Sequence, residues 1–136
     1  MNREVILEAL KVDPTFFNMG LFAESNLPES EDFTHERPCG TFRCISGNFF
    51  FQRGYTVQQI DDLSLDELVQ IPAKAMGITE EQAKRLFFLE RWPSQFVRGW
   101  IQVIDEQGHH LTPGTKAYYD RTMQRVQHFF DTNGDE

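Results

Sequence analysis

Basic residues never gather into a run in this chain. Lys and Arg total 13 against 21 Asp and Glu, a formal net charge of −8. The closest approaches to a basic patch are Lys84-Arg85 with Arg91, and Arg121 with Arg125. Nucleic-acid phosphates repel such a surface, so direct DNA or RNA binding is disfavoured. Long apolar runs are also missing. No segment reaches the ~18 consecutive apolar residues that cross a bilayer, and Met1-Asn2-Arg3-Glu4, interrupted again at Glu8 and Lys11, lacks the apolar stretch of a secretion signal. Cysteine is scarce: two in 136 residues cannot make a disulfide scaffold. A cytoplasmic protein without membrane contact is the expectation. No Gly-rich phosphate loop and no His-Glu-x-x-His is present. Asp131-Thr132-Asn133-Gly134-Asp135 has the composition of a calcium loop, but its glycine is misplaced. No cofactor is called for.

Aromatic and apolar material is plentiful. Hydrophobic residues make up 40%, including 13 Phe, 3 Tyr and 2 Trp. A chain of this size and composition buries a real core and forms one domain over 1–136. Helix signals dominate. Asn2 can cap a first helix with Val5, Ile6, Ala9 and Leu10 on one face, and Asp13-Pro14 ends it. A helix over Thr41–Gln52 follows, closed by Gly54, with Phe42, Ile45, Phe49 and Phe50 inward. Ser64-Leu65-Asp66-Glu67 and Thr79-Glu80-Glu81-Gln82 read as capping boxes. Pro72 should kink or split the helix that Ser64 opens. Phe96, Val97, Trp100, Ile101 and Ile104 recur at helical spacing. Thr112-Pro113 places a cap before a proline at the first helical position. A last helix shows Tyr119, Met123, Val126 and Phe130 on one side. Paired acids at Asp61-Asp62 and Glu80-Glu81 suit helix starts, where the dipole favours them. The pattern predicts an all-α chain of five to seven short helices. It has a long acidic loop over 23–38 and a frayed acidic tail over 131–136.

The chemistry, if there is any, gathers at Pro38-Cys39-Gly40-Thr41-Phe42-Arg43-Cys44. If a helix starts at Thr41, Cys39 sits before its first turn, where unpaired N–H groups lower a thiol pKa. The simpler account makes Thr41 the cap, Gly40 the turn and Cys44 a small core residue. An in-helix disulfide is excluded. A spacing of five gives a rise of about 7.5 Å and a rotation of about 140°, beyond the reach of a bridge. His35, Cys39 and Cys44, with His109 or His110, could be read as a zinc set, but the spacing is at the edge of what structural zinc uses. A Cys39 nucleophile needs a base from His35, His109, His110 or His128. Papain-like enzymes also place Cys-Gly at a helix start, yet the rest of their signature is absent. His109-His110 is expected in a solvated turn and His128 on a helix surface.

The block Cys39-Gly40-Thr41-x-x-Cys44-Ile45-x-Gly47 resembles that of small bacterial and phage proteins carrying Cys-Gly-Thr-x-x-Cys-Ile-Ala-Gly. Phe17-Asn18-Met19-Gly20, Ala75-Met76-Gly77-Ile78-Thr79, Ala83, Leu86-Phe87, Trp92-Pro93 and Leu111-Thr112-Pro113 are similar to theirs too. The likeness covers roughly residues 15 to 115, and the chain departs from it at Ser46, where alanine is usual. It implies a helical domain of unknown function often borne by mobile elements, with no established reaction.

The expected function is therefore a non-enzymatic, acidic helical module that binds a protein partner. A phage or mobile-element accessory that occupies a host protein's nucleic-acid groove would fit. Glu29, Glu31, Asp32, Phe33, Trp92 and Tyr118 are the candidate partner surface. The doublets Phe16-Phe17, Phe87-Phe88, Tyr118-Tyr119 and Phe129-Phe130 cannot all face inward, leaving an exposed patch or a homodimer contact. A Cys39-dependent enzyme or redox protein, or a small zinc module, is the alternative.

Overall fold

The computed structural model describes residues 1–19, 24, 25, 41, 42 and 44–136, with 24, 25, 41 and 42 described at the backbone. The expectations placed on Glu29, Glu31, Asp32, Phe33, His35, Cys39 and Gly40 lie outside the described residues, as does most of the 23–38 loop. The architecture is mostly helical. Among the described residues six α-helices run in order: α1 (Arg3–Glu8), α2 (Ile45–Gln52), α3 (Val57–Asp61), α4 (Leu65–Met76), α5 (Glu80–Phe87) and α6 (Lys116–Asp131). Two antiparallel two-stranded pairs join them, β1 (Glu24–Ser25) with β2 (Thr41–Phe42) and β3 (Val97–Arg98) with β4 (Gln102–Val103).

Helix α2 is the centre. Every residue from Ile45 to Phe51 is buried, and a helix apolar on all sides must lie inside a fold. Its polar side chains hold the neighbours. Asn48 Nδ2 donates to Ala9 O at 2.8 Å, and Gln52 Nε2 to Lys11 O at 3.2 Å. Both carbonyls follow α1, where a helix end leaves acceptors without partners. Around α2 lie Ile6, Leu10, Phe17, Phe87 and Phe129, all at 0–1% exposure. Each fully buried Phe or Leu contributes roughly 1.5–3 kcal/mol.

The caps follow the sequence. Asn2 accepts from Val5 N, and the Ser64–Glu67 and Thr79–Gln82 capping boxes are both complete. Gly77 closes α4 at φ 67 in the left-handed region. A third box, Thr56–Gln59, opens α3, a helix that apolar periodicity did not reveal.

Six features differ from expectation, each for a physical reason. Helix α2 begins at Ile45, not Thr41, because Thr41 and Phe42 pair with Ser25 and Glu24; Cys44 is the cap. Helix α4 runs unbroken through Pro72. A proline has no N–H for the carbonyl four residues back, here that of Leu68. The Ser46 hydroxyl donates to Leu68 O instead, at 2.6 Å and fully buried, so that acceptor is satisfied. Residues 96–104 form the β3–β4 hairpin and not a helix. Helix α6 is capped by Thr115, whose Oγ1 accepts from Tyr118 N, while Thr112-Pro113-Gly114 makes a turn before it. That turn needs glycine: at φ +82, a Cβ on Gly114 would stand 2.9 Å from Thr15 O. Asp61 and Asp62, expected at a helix start, close α3, where Gln58 Nε2 donates to Asp62 Oδ1.

The acidic tail is the sixth difference. Asn133 and Gly134 take positive φ values of 51° and 76° and turn the chain back on α6. Gly134 N donates to Phe129 O at 2.8 Å. Glu136 then lies buried at 5% exposure beside Arg125, which is itself 0% exposed. The segment is docked rather than frayed.

Candidate functional site

The aromatic doublets do not make the exposed patch. Phe17, Phe87, Tyr118, Phe129 and Phe130 are buried, and Phe16, Phe88 and Tyr119 are half-buried. Trp92 and Tyr118, expected on a partner surface, are core residues at 5% and 2% exposure. Their polar tips are satisfied inside: Trp92 Nε1 donates to Leu86 O, and Tyr118 OH accepts from Met19 N. A satisfied tip is what lets such rings be buried. Burial pushes the Tyr118 hydroxyl up to about 12.

Among the described residues, the exposed aromatic is Trp100. It stands 93% exposed at the tip of the β3–β4 hairpin, beside Ile101 at 41%. The register pairs Val97 with Val103 and Arg98 with Gln102, so Gly99, Trp100 and Ile101 form the loop. Gly99 adopts φ 66 and Ile101 φ 61. A β-branched residue there is strained by of order 1–2 kcal/mol, and such strain concentrates at binding tips.

The base of the hairpin is rigid. Phe96, Val103 and Ile104 are buried. Leu111 N donates to Val103 O at 2.8 Å, and Ile104 bridges His110. Asp105 Oδ1 accepts from Gln107 N and His109 N, both at 2.9 Å. The His109 N–H bond is the main cause that holds the Asp105 carboxyl below its usual range. Arg98 Nη2 donates to Gly108 O at 2.8 Å, and Arg121 Nη2 to Gln95 O at 2.7 Å. An open cleft flanks this base, lined by Val97, Arg98, Asp105, Gly108 and Arg121. The hairpin thus carries an exposed tryptophan on a fixed stem.

The cysteine block splits. Cys44 caps α2 with its Sγ accepting from Gly47 N at 3.5 Å. It is 2% exposed, and burial raises its thiol to about 11. Thr41 lies in β2. His109 and His110 are both exposed, as expected, but they follow the turn at Glu106-Gln107, and His110 pairs with Ile104 in a bridge. His128 is half-buried, its ring 5.6 Å from that of Phe96 and its Nε2 3.3 Å from Glu136. Among the described residues, no three His, Cys, Asp or Glu side chains form a metal-ligand group, and no helix is long and apolar enough to cross a membrane.

Only the thiolate reacts, and a two-unit rise leaves about 100-fold less of it at neutral pH. Cys44 should therefore label with iodoacetamide at least about 100-fold more slowly than a free thiol at pH 8, as read by mass spectrometry of its peptide. The protonated thiol also supports folding below the ordinary thiol range, and that support is lost as pH rises from 9.0 toward about 11.

In comparisons with known proteins, the chain matches no family model, no curated protein and no solved structure.

Signals for the hairpin were present in the sequence. Gly99 interrupts the supposed helix, Asp105-Glu106-Gln107-Gly108 reads as a turn, and Val97, Trp100, Ile101, Val103 and Ile104 favour strands.

Proposed function

We propose that the chain is a non-enzymatic protein-binding module of the cytoplasm, acting through Trp100 at its hairpin tip. The observation that supports this is a tryptophan 93% exposed on a stem fixed by buried Phe96, Val103 and Ile104. Tryptophan is the residue most enriched where interface energy concentrates. With a net charge of −8, the fitting partner offers an apolar pocket within a basic rim, such as a protein groove that otherwise takes nucleic acid. An accessory protein of a phage or other mobile element, blocking a host protein there, is the role this chemistry suits. The reading moves the partner surface from Trp92 and Tyr118 to Trp100 and Ile101.

Trp100→Ala is the test. The side chain makes little contact with the fold, so the melting temperature should stay unchanged. Affinity for the captured partner should fall at least about 30-fold, equivalent to about 2 kcal/mol. Capture that survives the substitution, or a wild-type dimer that the substitution dissolves, would overturn the reading. Light scattering on both proteins separates these outcomes.

A further inference from the structure

Apart from the hairpin, one buried cluster holds charged groups whose hydrogen bonds are poorly matched. Arg125 is 0% exposed in a chain that is otherwise acidic. Its Nη2 donates to Arg85 O at 2.8 Å and pairs with Glu136. Its Nε and Nη1 and the Nε of Arg85 are buried without an acceptor among the described residues, and both Glu136 carboxylate oxygens, though paired with Arg125 by charge, are buried without an aligned donor. His128 Nε2 lies 3.3 Å from Glu136, and Arg85 Nη1 donates to Glu136 O at 2.8 Å. The wall is aromatic: the Arg125 guanidinium sits 5.6 Å from the Trp92 ring and 5.8 Å from that of Phe129.

A buried guanidinium presents five N–H groups in a planar fork. A fork matched by a bidentate carboxylate is strongly held, whereas buried donors left over keep the full desolvation cost. Glu136 engages the fork on one nitrogen and leaves two idle. The segment that delivers it is short: besides local turn bonds such as Gly134 N to Phe129 O at 2.8 Å, it is tied to the rest of the fold by Arg85 Nη1 to Glu136 O at 2.8 Å and by two long contacts, Gln82 Nε2 to Asn133 O and Arg3 Nη2 to Asn133 Oδ1, both at 3.4 Å.

We propose that Arg85, Arg125 and His128 form a carboxylate-binding pocket that Glu136 fills in the resting protein, residues 132–136 being an exchangeable strap over it. The ligand is a carboxylate with an apolar group to lie against Trp92 and Phe129. It comes either from a small organic acid or from an acidic side chain of another polypeptide.

The test uses the full chain with Glu136→Gln, which keeps the size of the strap and removes the side-chain charge at position 136. Propionate is the probe and propionamide the neutral control. Melting temperature and the Arg85 and Arg125 Nε–H resonances are followed by titration. Propionate should raise the melting temperature saturably and move the Arg125 signal, and propionamide should do neither. Wild type should bind about tenfold more weakly, as a pocket free about a tenth of the time requires. A doubly blocked Asn-Gly-Asp-Glu peptide forms the second arm. Tighter binding than propionate assigns the polypeptide source, and equal or weaker binding assigns the small acid. A folded variant that answers propionate and propionamide alike, or no better than wild type does, overturns the pocket. If the variant does not fold, hydrogen exchange on wild type decides. Saturating propionate should speed exchange of the Gly134 and Asp135 amides, which donate to Phe129 O and Thr132 O; unchanged rates overturn the strap.

Discussion

Arg125→Ala should destabilise the protein by about 3–5 kcal/mol in urea unfolding. Two losses combine. The guanidinium stem fills space between Trp92 and Phe129 at 0% exposure, so truncation opens a cavity in a packed region. The Arg85 carbonyl also loses its donor, which reaches it at 2.8 Å. Glu136→Ala leaves the guanidinium buried without its carboxylate, which should cost about 3–5 kcal/mol while the site stays closed. A distinctly smaller cost there would show that the short segment lifts and lets water reach Arg125. A typical domain holds only about 5–15 kcal/mol in total. The alanine variant at Arg125 should therefore unfold at distinctly lower urea, with an unchanged slope.

The arginine could not be found by reading the chain. Arg125 belongs to a helix face shared with Tyr118 and Thr122, and a charged residue there normally points outward. It turns inward because Asn133 and Gly134 reverse the chain and bring Glu136 to it. Asn-Gly after a helix is a legible stop signal, but the partner it delivers is a tertiary fact. Capping chemistry was the opposite case. Ser64–Glu67 and Thr79–Gln82 act within four residues, so their boxes stand in the fold as they do in the sequence. The hairpin failed for a third reason. Phe96, Val103 and Ile104 face the core from either a helix or a hairpin, so apolar spacing alone could not decide between them. Trp100 was hidden with it: a helical period assigns it inward, whereas the loop sends it out. The expected partner surface at Trp92 and Tyr118 misled differently, since buried Trp and Tyr find partners for their polar tips that no local pattern announces.

The second large effect is expected at Ser46, and it depends on Pro72. Ser46→Ala should cost about 1–3 kcal/mol, because Leu68 O stays buried and loses its only expected donor. The serine is fully buried and its hydroxyl is 2.6 Å from that oxygen. Proline at position 72 cannot supply the helical N–H, so no local rearrangement repairs the loss. Pro72→Ala restores that N–H. It also removes a ring from the core, so its own effect on stability is a balance of the two. The decisive quantity is the coupling. On the Pro72→Ala background, Ser46→Ala should cost well under 1 kcal/mol, leaving an interaction energy of about 1–2 kcal/mol in the double-mutant cycle. Urea unfolding of the four proteins measures it. Additive costs would show that the serine hydroxyl does not replace the missing helical bond, and the unbroken passage of α4 through Pro72 would then need another cause. A measured coupling would make Ser46 and Pro72 one unit, in which a hydroxyl on the central helix lets a proline sit inside its neighbour.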